Sequence, residues 1–471
     1  MSASIDPSPG SRQAESHPLR CPPSFSAGHN AGVFSLVSGA CRRVGSRHPS
    51  TATAPERSVI TRFSDTPTAD PQEVVRRQVF YLPGFDPRQP ETYWGLFRRE
   101  SRLTAARRGL DIAVSDPSRS ADRLSLDWTV ESGGTRTRYG LLRWDDIVRA
   151  RFPRPNWRRL LTVPALLWRL RRSGYERRLR REGRSFAMVI FGVQYLFLVF
   201  VALSLGLAVL LPLALPADWR PWSWLAVPVA AYAILAGIMA ITRGKPFYCA
   251  HLVDDTAFTH DHAAGREPRM PARLDAMAAR IAAAEGTADE IVVIGHSSSS
   301  FLGVEVLDRI LSADPAFGTR GTPVSFVTLG SVIPWIALDR PAAGFRAALA
   351  RFAAADHIRW LDVRAPWDWL SIHLRDPLTA SDVPSPDRSR PATRYVRLED
   401  LIEDRLVRAR RFNLFQMHFQ LLMSSLDTQG FDYVALVTGP EPVHAAIDRR
   451  RRAKPGTGPE AGAEADATIP A

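Results

Sequence analysis

Apolar and polar positions change their spacing several times along the 471 residues, and each change predicts a different element. Val79–Leu82, within VVRRQVFYLPGF, is a short continuous apolar run that stops at Pro83-Gly84, which predicts a buried strand followed by a tight loop. Tyr93–Arg108 has helical spacing and Arg123–Val130 alternates as a strand does, so the series reads β-loop-α-β and predicts a parallel sheet. Arg273–Ala284 has the composition of a helix and leads through Gly286 into a strand at Glu290–Ile294, directly before a run of four serines. Val324–Leu329 and Ile358–Val363 are two more short apolar runs with helical material between them, and Leu414–Leu426 is helical by content. The expected class is α/β, a mostly parallel sheet flanked by helices and interrupted by a two-helix transmembrane hairpin.

That hairpin rests on two long stretches without charge. Residues 185–217 form 33 consecutive uncharged positions and residues 221–242 another 22, and PADWRP (216–221) connects them. About 20 apolar residues span a bilayer, and so short a connection permits only antiparallel helices. Trp219, Trp222 and Trp224 cluster at the tip, as interfacial aromatic residues do. Residues 169–184 carry eight arginines against two glutamates, and Arg243 and Lys245 follow the second run, whereas the tip holds only Asp218 and Arg220. The excess of basic residues puts both ends on the cytoplasmic side. The expected location is the inner membrane of a bacterium, with both termini and the catalytic domain cytoplasmic. Upstream, NWRRLLTVPALLWRL reads equally as an interfacial helix near anionic head groups or as an amphipathic helix packed on the soluble domain.

Composition narrows the remaining choices. The formal charge of +13 and pI near 10.4 suit either nucleic acid or anionic lipid, and the crowding of arginines beside the apolar runs selects lipid, so no nucleic-acid partner is expected. Three cysteines, two of them (Cys21 and Cys41) in a polar N-terminal segment, imply no disulfide framework. Residues 1–72 are rich in Ser, Pro, Arg and Gly and lack hydrophobic periodicity, and residues 1–35 hold no apolar run of signal-peptide type behind a basic start. The expected organisation is a disordered segment at 1–72, a first part of the catalytic domain at 73–150, a basic amphipathic segment at 151–185 and the hairpin at 186–242. The second part of the domain follows at 243–445, then a disordered tail at 446–471.

The serine run carries the chemistry. Nucleophilic serine catalysis on an α/β sheet needs the hydroxyl on a sharp strand-to-helix turn with small residues two before and two after it. In IVVIGHSSSSFLGVEVL, Ser297 has Gly295 two before and Ser299 two after, whereas Ser298 would have the bulky His296 two before. Ser297 is therefore the expected nucleophile, with Ser299 standing where GxSxG has its second glycine. VFYLPGF, IVVIGHSSSS, LDVRAPWDWLS and FQMHFQLL, taken in this order over about residues 76–440, resemble α/β-hydrolases of the lipase and esterase kind. That resemblance implies a chain order of Ser, then Asp or Glu after a later strand, then His.

On this order the acid is Asp368, in the loop APWDW just after IRWLDV, with Asp376 as the alternative. Asp362 lies inside the strand. The base is His418, since His373 is too near Asp368, His357 precedes its strand, and His296 adjoins the serine and is expected to point elsewhere. The resemblance also implies an oxyanion hole from the backbone N–H groups of Ser298 and Phe85, although Pro83-Gly84 stands where relatives often have His-Gly. The expected activity is hydrolysis of a small or lipid-like carboxylic ester. A catalytically silent membrane scaffold and an acyltransferase with the same triad are the alternatives. No phosphate-binding glycine loop stands out, so no cofactor is expected. His260 and His262 in THDH lack cysteine or carboxylate partners at ligand spacing and read as surface loop, so no metal is expected.

Overall fold

The computed structural model describes residues 73–216, 218–242, 248–384, 390–410 and 413–452. The expectations for residues 1–72, for Arg243 and Lys245, and for the tail beyond 452 lie outside these. The order begins β1 (Arg76–Leu82), α1 (Glu91–Arg108), β2 (Ile112–Val114), β3 (Ser118–Arg119), β4 (Ser125–Ser132) and β5 (Thr135–Leu142). Seven helices follow before the sheet resumes, together with α6 (Arg220–Ser223) at the tip of the apolar hairpin. They are α2 (Asp145–Arg151), α3 (Asn156–Arg172), α4 (Tyr175–Glu182), α5 (Arg184–Ala214), α7 (Val227–Thr242), α8 (Cys249–Ala263) and α9 (Met270–Ala282). Then come β6 (Glu290–His296), α10 (Ser299–Ala313), β7 (Val324–Leu329), α11 (Ile333–Ala337), α12 (Ala343–Ala354), β8 (Arg359–Arg364) and β9 (Ala392–Tyr395). The chain closes with α13 (Leu398–Leu401), α14 (Asp404–Arg410), α15 (Leu414–His418), α16 (Tyr433–Thr438) and α17 (Val443–Arg452).

The nine strands of the described residues form one sheet in the order β2-β4-β5-β1-β6-β7-β8-β9, with β3 on β4, and β5, β1, β6, β7, β8 and β9 run parallel. The class is thus the expected α/β with a mostly parallel sheet, and β2 to β5 form its antiparallel edge. The cause is Gly133-Gly134. Both have positive φ, 55° and 85°, and they join Ser132 to Thr135 in a two-residue hairpin turn whose twist matches the strands. Alternation along each central strand divides the core in two. Phe80, Leu82, Ile291, Val293 and Phe326 face one side, under α8 to α10 and the start of α5. Val79, Tyr81, Val292, Ile294 and Val327 face the other, under α1, α16 and α17. Paired Arg77 on β1 and Glu290 on β6 sit side by side in register, both buried, 2.5 Å apart, and the guanidinium also donates to the Gly439 and Glu441 carbonyls.

Two helical stretches, Arg184–Ala214 and Arg220–Thr242, are long and apolar enough to cross a membrane. They do not behave uniformly along their length. On α5, Phe186, Ile190, Phe191 and Phe197 are buried among core residues, while Val199, Leu203, Leu210 and Leu213 are exposed. The first turns of α5 therefore belong to the core of the α/β domain, and only the part from about residue 198 onward projects from it. The basic segment upstream folds as α3 and α4. On α3, Val163, Leu167 and Leu170 face the core and Trp157, Leu161 and Trp168 face out.

Candidate active site

Ser297 sits in the two-residue turn between β6 and α10 with φ of 57°, a left-handed conformation that costs a non-glycine residue about 1–2 kcal/mol. Three small residues make the turn possible. A Cβ on Gly295 would lie 2.6 Å from the Ser299 carbonyl oxygen, and one on Gly84 would lie 2.9 Å from Ser297 Cβ. A Cβ on Gly303, one turn into α10, would meet the Phe326 ring at 2.5 Å, so close helix–strand packing also requires glycine there.

Each of the four serines has a separate task. The Ser297 amide donates to the Leu329 carbonyl (3.0 Å), and its hydroxyl has no hydrogen-bond partner among the described residues. Ser298 Oγ donates to Asp255 Oδ2 (3.4 Å). Buried Ser299 donates to the Pro83 carbonyl, which also accepts from Trp144 Nε1 (2.7 Å). Ser300 Oγ accepts from the Val332 amide (3.0 Å). Serine rather than glycine at 299 thus ties the turn to the loop after β1.

Asp368 lies in the turn after β8 and His418 ends α15. Both are buried, and His418 Nδ1 and Asp368 Oδ2 are 2.7 Å apart. The Leu370 amide donates to Asp368 Oδ1 (3.0 Å), which fixes the carboxylate. Among the described residues His418 Nε2 has no hydrogen-bond partner. Gly330, at φ of 56°, separates this pair from the serine turn: a Cβ there would be 2.8 Å from His418 Cε1 and 3.1 Å from Asp368 Oδ2. Since Leu329 carries the carbonyl that holds Ser297, the three residues converge on the end of β7.

Ser297 and His418 line a single cavity of about 720 Å³, within the size range of small-molecule sites, about 300–1,000 Å³. Phe85 and Ser298 line it too, and among the described residues neither backbone N–H donates to an acceptor. Asp86 and Arg88, also in its lining, pair with each other, and Tyr93 donates to Asp86 (2.8 Å). Burial raises the Asp86 carboxyl, but the Arg88 hydrogen bonds and charge outweigh it and hold it below the usual range.

Sequence reasoning missed three neighbours of the site. His296 does not point away: its ring stacks on His418 at 4.7 Å, and Tyr81 bonds its Nδ1 at 3.1 Å. Burial, reinforced by His418, holds its pKa well below the ordinary value, so it packs as a neutral ring. Asp255 on α8 is buried beside Ser298 with Oδ1 unpartnered, and burial pushes its pKa well up. His251, also on α8, meets Phe85 and Phe415 edge to face, and burial lowers it to about 4. No periodic signal marked α8 as part of the site.

The remaining candidates lie elsewhere. Asp376 caps the turn at Leu378 and Thr379, and Asp362 bonds Thr328 and Arg364 within the sheet. His260 and His262 are not in a surface loop: both are on α8 with their rings packed in, His260 against Asp339 (2.7 Å) and His262 against Glu305 (2.6 Å). Among the described residues no cluster of three or more His, Cys, Asp or Glu side chains is placed to hold a metal ion. No protein-family model matches the chain, and no curated protein or solved structure is significantly similar to it.

Proposed function

We propose that the chain is a membrane-anchored serine hydrolase of the α/β-hydrolase type, cleaving a carboxylic ester through Ser297, His418 and Asp368. The observation that carries this reading is the buried Asp368–His418 pair, its outer ring nitrogen unpartnered, beside a serine held at positive φ in the same cavity. Asp368 fixes the His418 tautomer with Nδ1 protonated, which leaves Nε2 to take the Ser297 proton as Oγ attacks the ester carbonyl. The Phe85 and Ser298 N–H groups receive the oxyanion, a contribution on the order of 3 kcal/mol for one such donor. His418 then protonates the leaving alcohol, and water releases the acyl group by the reverse sequence.

Basic flanks on both ends of the hairpin support a cytoplasmic face for the domain and anionic lipid as its neighbour. The absence of a Ser297–His418 hydrogen bond favours a second reading, a silent scaffold, although such bonds often tighten only with substrate bound. Labelling with a short-chain alkyl fluorophosphonate separates the two. The detergent-solubilised full chain should be labelled, Ser297→Ala should not, and Asp368→Asn should lose roughly 10³–10⁴ in ester turnover. Labelling that persists in Ser297→Ala would refute the nucleophile.

A further inference from the structure

The apolar hairpin does more than leave the domain. Its two roots are part of the catalytic cavity: Phe186 and Ile190 from the first turns of α5, and Tyr248 and Leu252 where the chain returns into α8. α5 is one continuous helix, so the nine residues from Ile190, 1% exposed, to Val199, 58% exposed, rise about 14 Å. The wall of the cavity and the outward apolar surface are thus two stretches of one rod, less than half a bilayer thickness apart.

Two further observations set the level at which the rod emerges. The Arg171 guanidinium at the end of α3 stacks over Tyr195 (5.2 Å), one turn before Val199. On the outer face of α3, Trp157, Leu161 and Trp168 recur at helical spacing, with Arg158 and Arg172 stacked on the two indoles (5.2 and 5.1 Å). Exposed tryptophans flanked by arginines are what the boundary between head groups and hydrocarbon selects. The cavity is also unequal in polarity. Asp86, Arg88 and Arg99 enter from the β1–α1 side, whereas Trp335 and Leu370 join the two α5 side chains in an apolar wall.

We propose that this wall, built from the hairpin roots, receives the long apolar chain of an ester drawn directly from the bilayer, with Ile190 setting the chain length accepted. The proposal rests on Ser297 being the nucleophile. The substrate class is an amphiphilic long-chain ester whose polar part faces Arg88 and Arg99, and its route is lateral, along α5.

The test uses the full chain reconstituted in vesicles of zwitterionic and anionic phospholipid, with butyl and hexadecyl fluorophosphonates as probes. Wild type should react faster with the hexadecyl probe. Ile190→Trp, which fills the wall, should lower the long-to-short rate ratio about tenfold or more, the usual scale for apolar pocket contacts. Ile190→Ala should move the ratio the other way, and this smaller side chain covers the case in which tryptophan prevents folding. Val199→Trp, on the outward face, should leave the ratio as in wild type. A ratio insensitive to both Ile190 variants, or shifted equally by Val199→Trp, would overturn this proposal while leaving the nucleophile standing. Failure of the butyl probe to label wild-type Ser297 would refute the hydrolase reading itself, and this inference with it.

Discussion

Ser297 holds strained backbone, and that strain gives a test independent of activity. Its φ of 57° suits glycine, so Ser297→Gly should raise unfolding free energy by about 1 kcal/mol while abolishing turnover. Ser297→Ala keeps both the Cβ and the strain, and should abolish turnover with little change in stability. Thermal melts of the three proteins side by side check this, and a glycine variant no more stable than alanine would contradict it. Gly330 offers the converse case. Gly330→Ala adds a methyl group 2.8 Å from His418 Cε1 at positive φ and should cut kcat by at least about tenfold through displacement of the His–Asp pair. Gly295 and Ser297 were legible in the sequence because an elbow turn imposes a local spacing. The pairing of Asp368 with His418 was legible only through chain order. His296 was not, because the strand aims it across the turn at a ring far away in sequence, and adjacency to the serine carries no sign of that.

At the scale of elements, the uncharged runs identified the hairpin correctly but not where it leaves the protein. Hydropathy responds to the absence of charge, and the first turns of α5 meet protein interior rather than lipid, which look alike to it. α3 shows the same limit from the other side. The sequence left open whether it lies in the interface or packs on the domain. The fold places Val163, Leu167 and Leu170 inward and leaves Trp157, Leu161 and Trp168 outward, so one helix offers both faces. What docks it is a polar pair invisible to periodicity: Arg159 donates to both oxygens of Asp254 on α8 (3.0 and 2.6 Å), and both residues are buried. Burial pushes the Asp254 pKa up against the pull of Arg159. Arg159→Met should therefore leave an uncompensated buried carboxyl and cost about 3–5 kcal/mol. Arg159→Met/Asp254→Leu should recover most of it. Denaturant melts of the single and double variants measure the difference, and equal losses in both would show that the pair does not hold α3 on α8.

Across the whole molecule, the buried imidazoles fix how stability varies with pH. His251, His260, His296 and His373 all have pKa values below the ordinary 6.5, in each case chiefly through burial, and His251 falls to about 4. The unfolded chain takes protons at these residues before the folded one does. Their contribution is therefore fully present above pH 6.5 and is lost as pH falls toward and through the folded values, with a slope of about 1.4 kcal/mol per pH unit for each extra proton bound. His262 opposes this. Burial lowers it, but Glu305 outweighs burial and raises it, so its contribution is full below 6.5 and is lost as pH rises through its raised value. Buried Asp254 and Asp255, both raised, stabilise the acid side. Four lowered imidazoles against one raised one leave the balance falling with acidification. Melting temperatures of the detergent-solubilised chain should decline steadily from about pH 6.5 to 4. His251→Phe, a ring of similar shape in the same aromatic setting of Phe85, Phe152 and Phe415, should reduce that decline by about one proton's share. A melting temperature that rises over this window, or a decline unchanged in His251→Phe, would mean that these rings do not stay neutral in the fold.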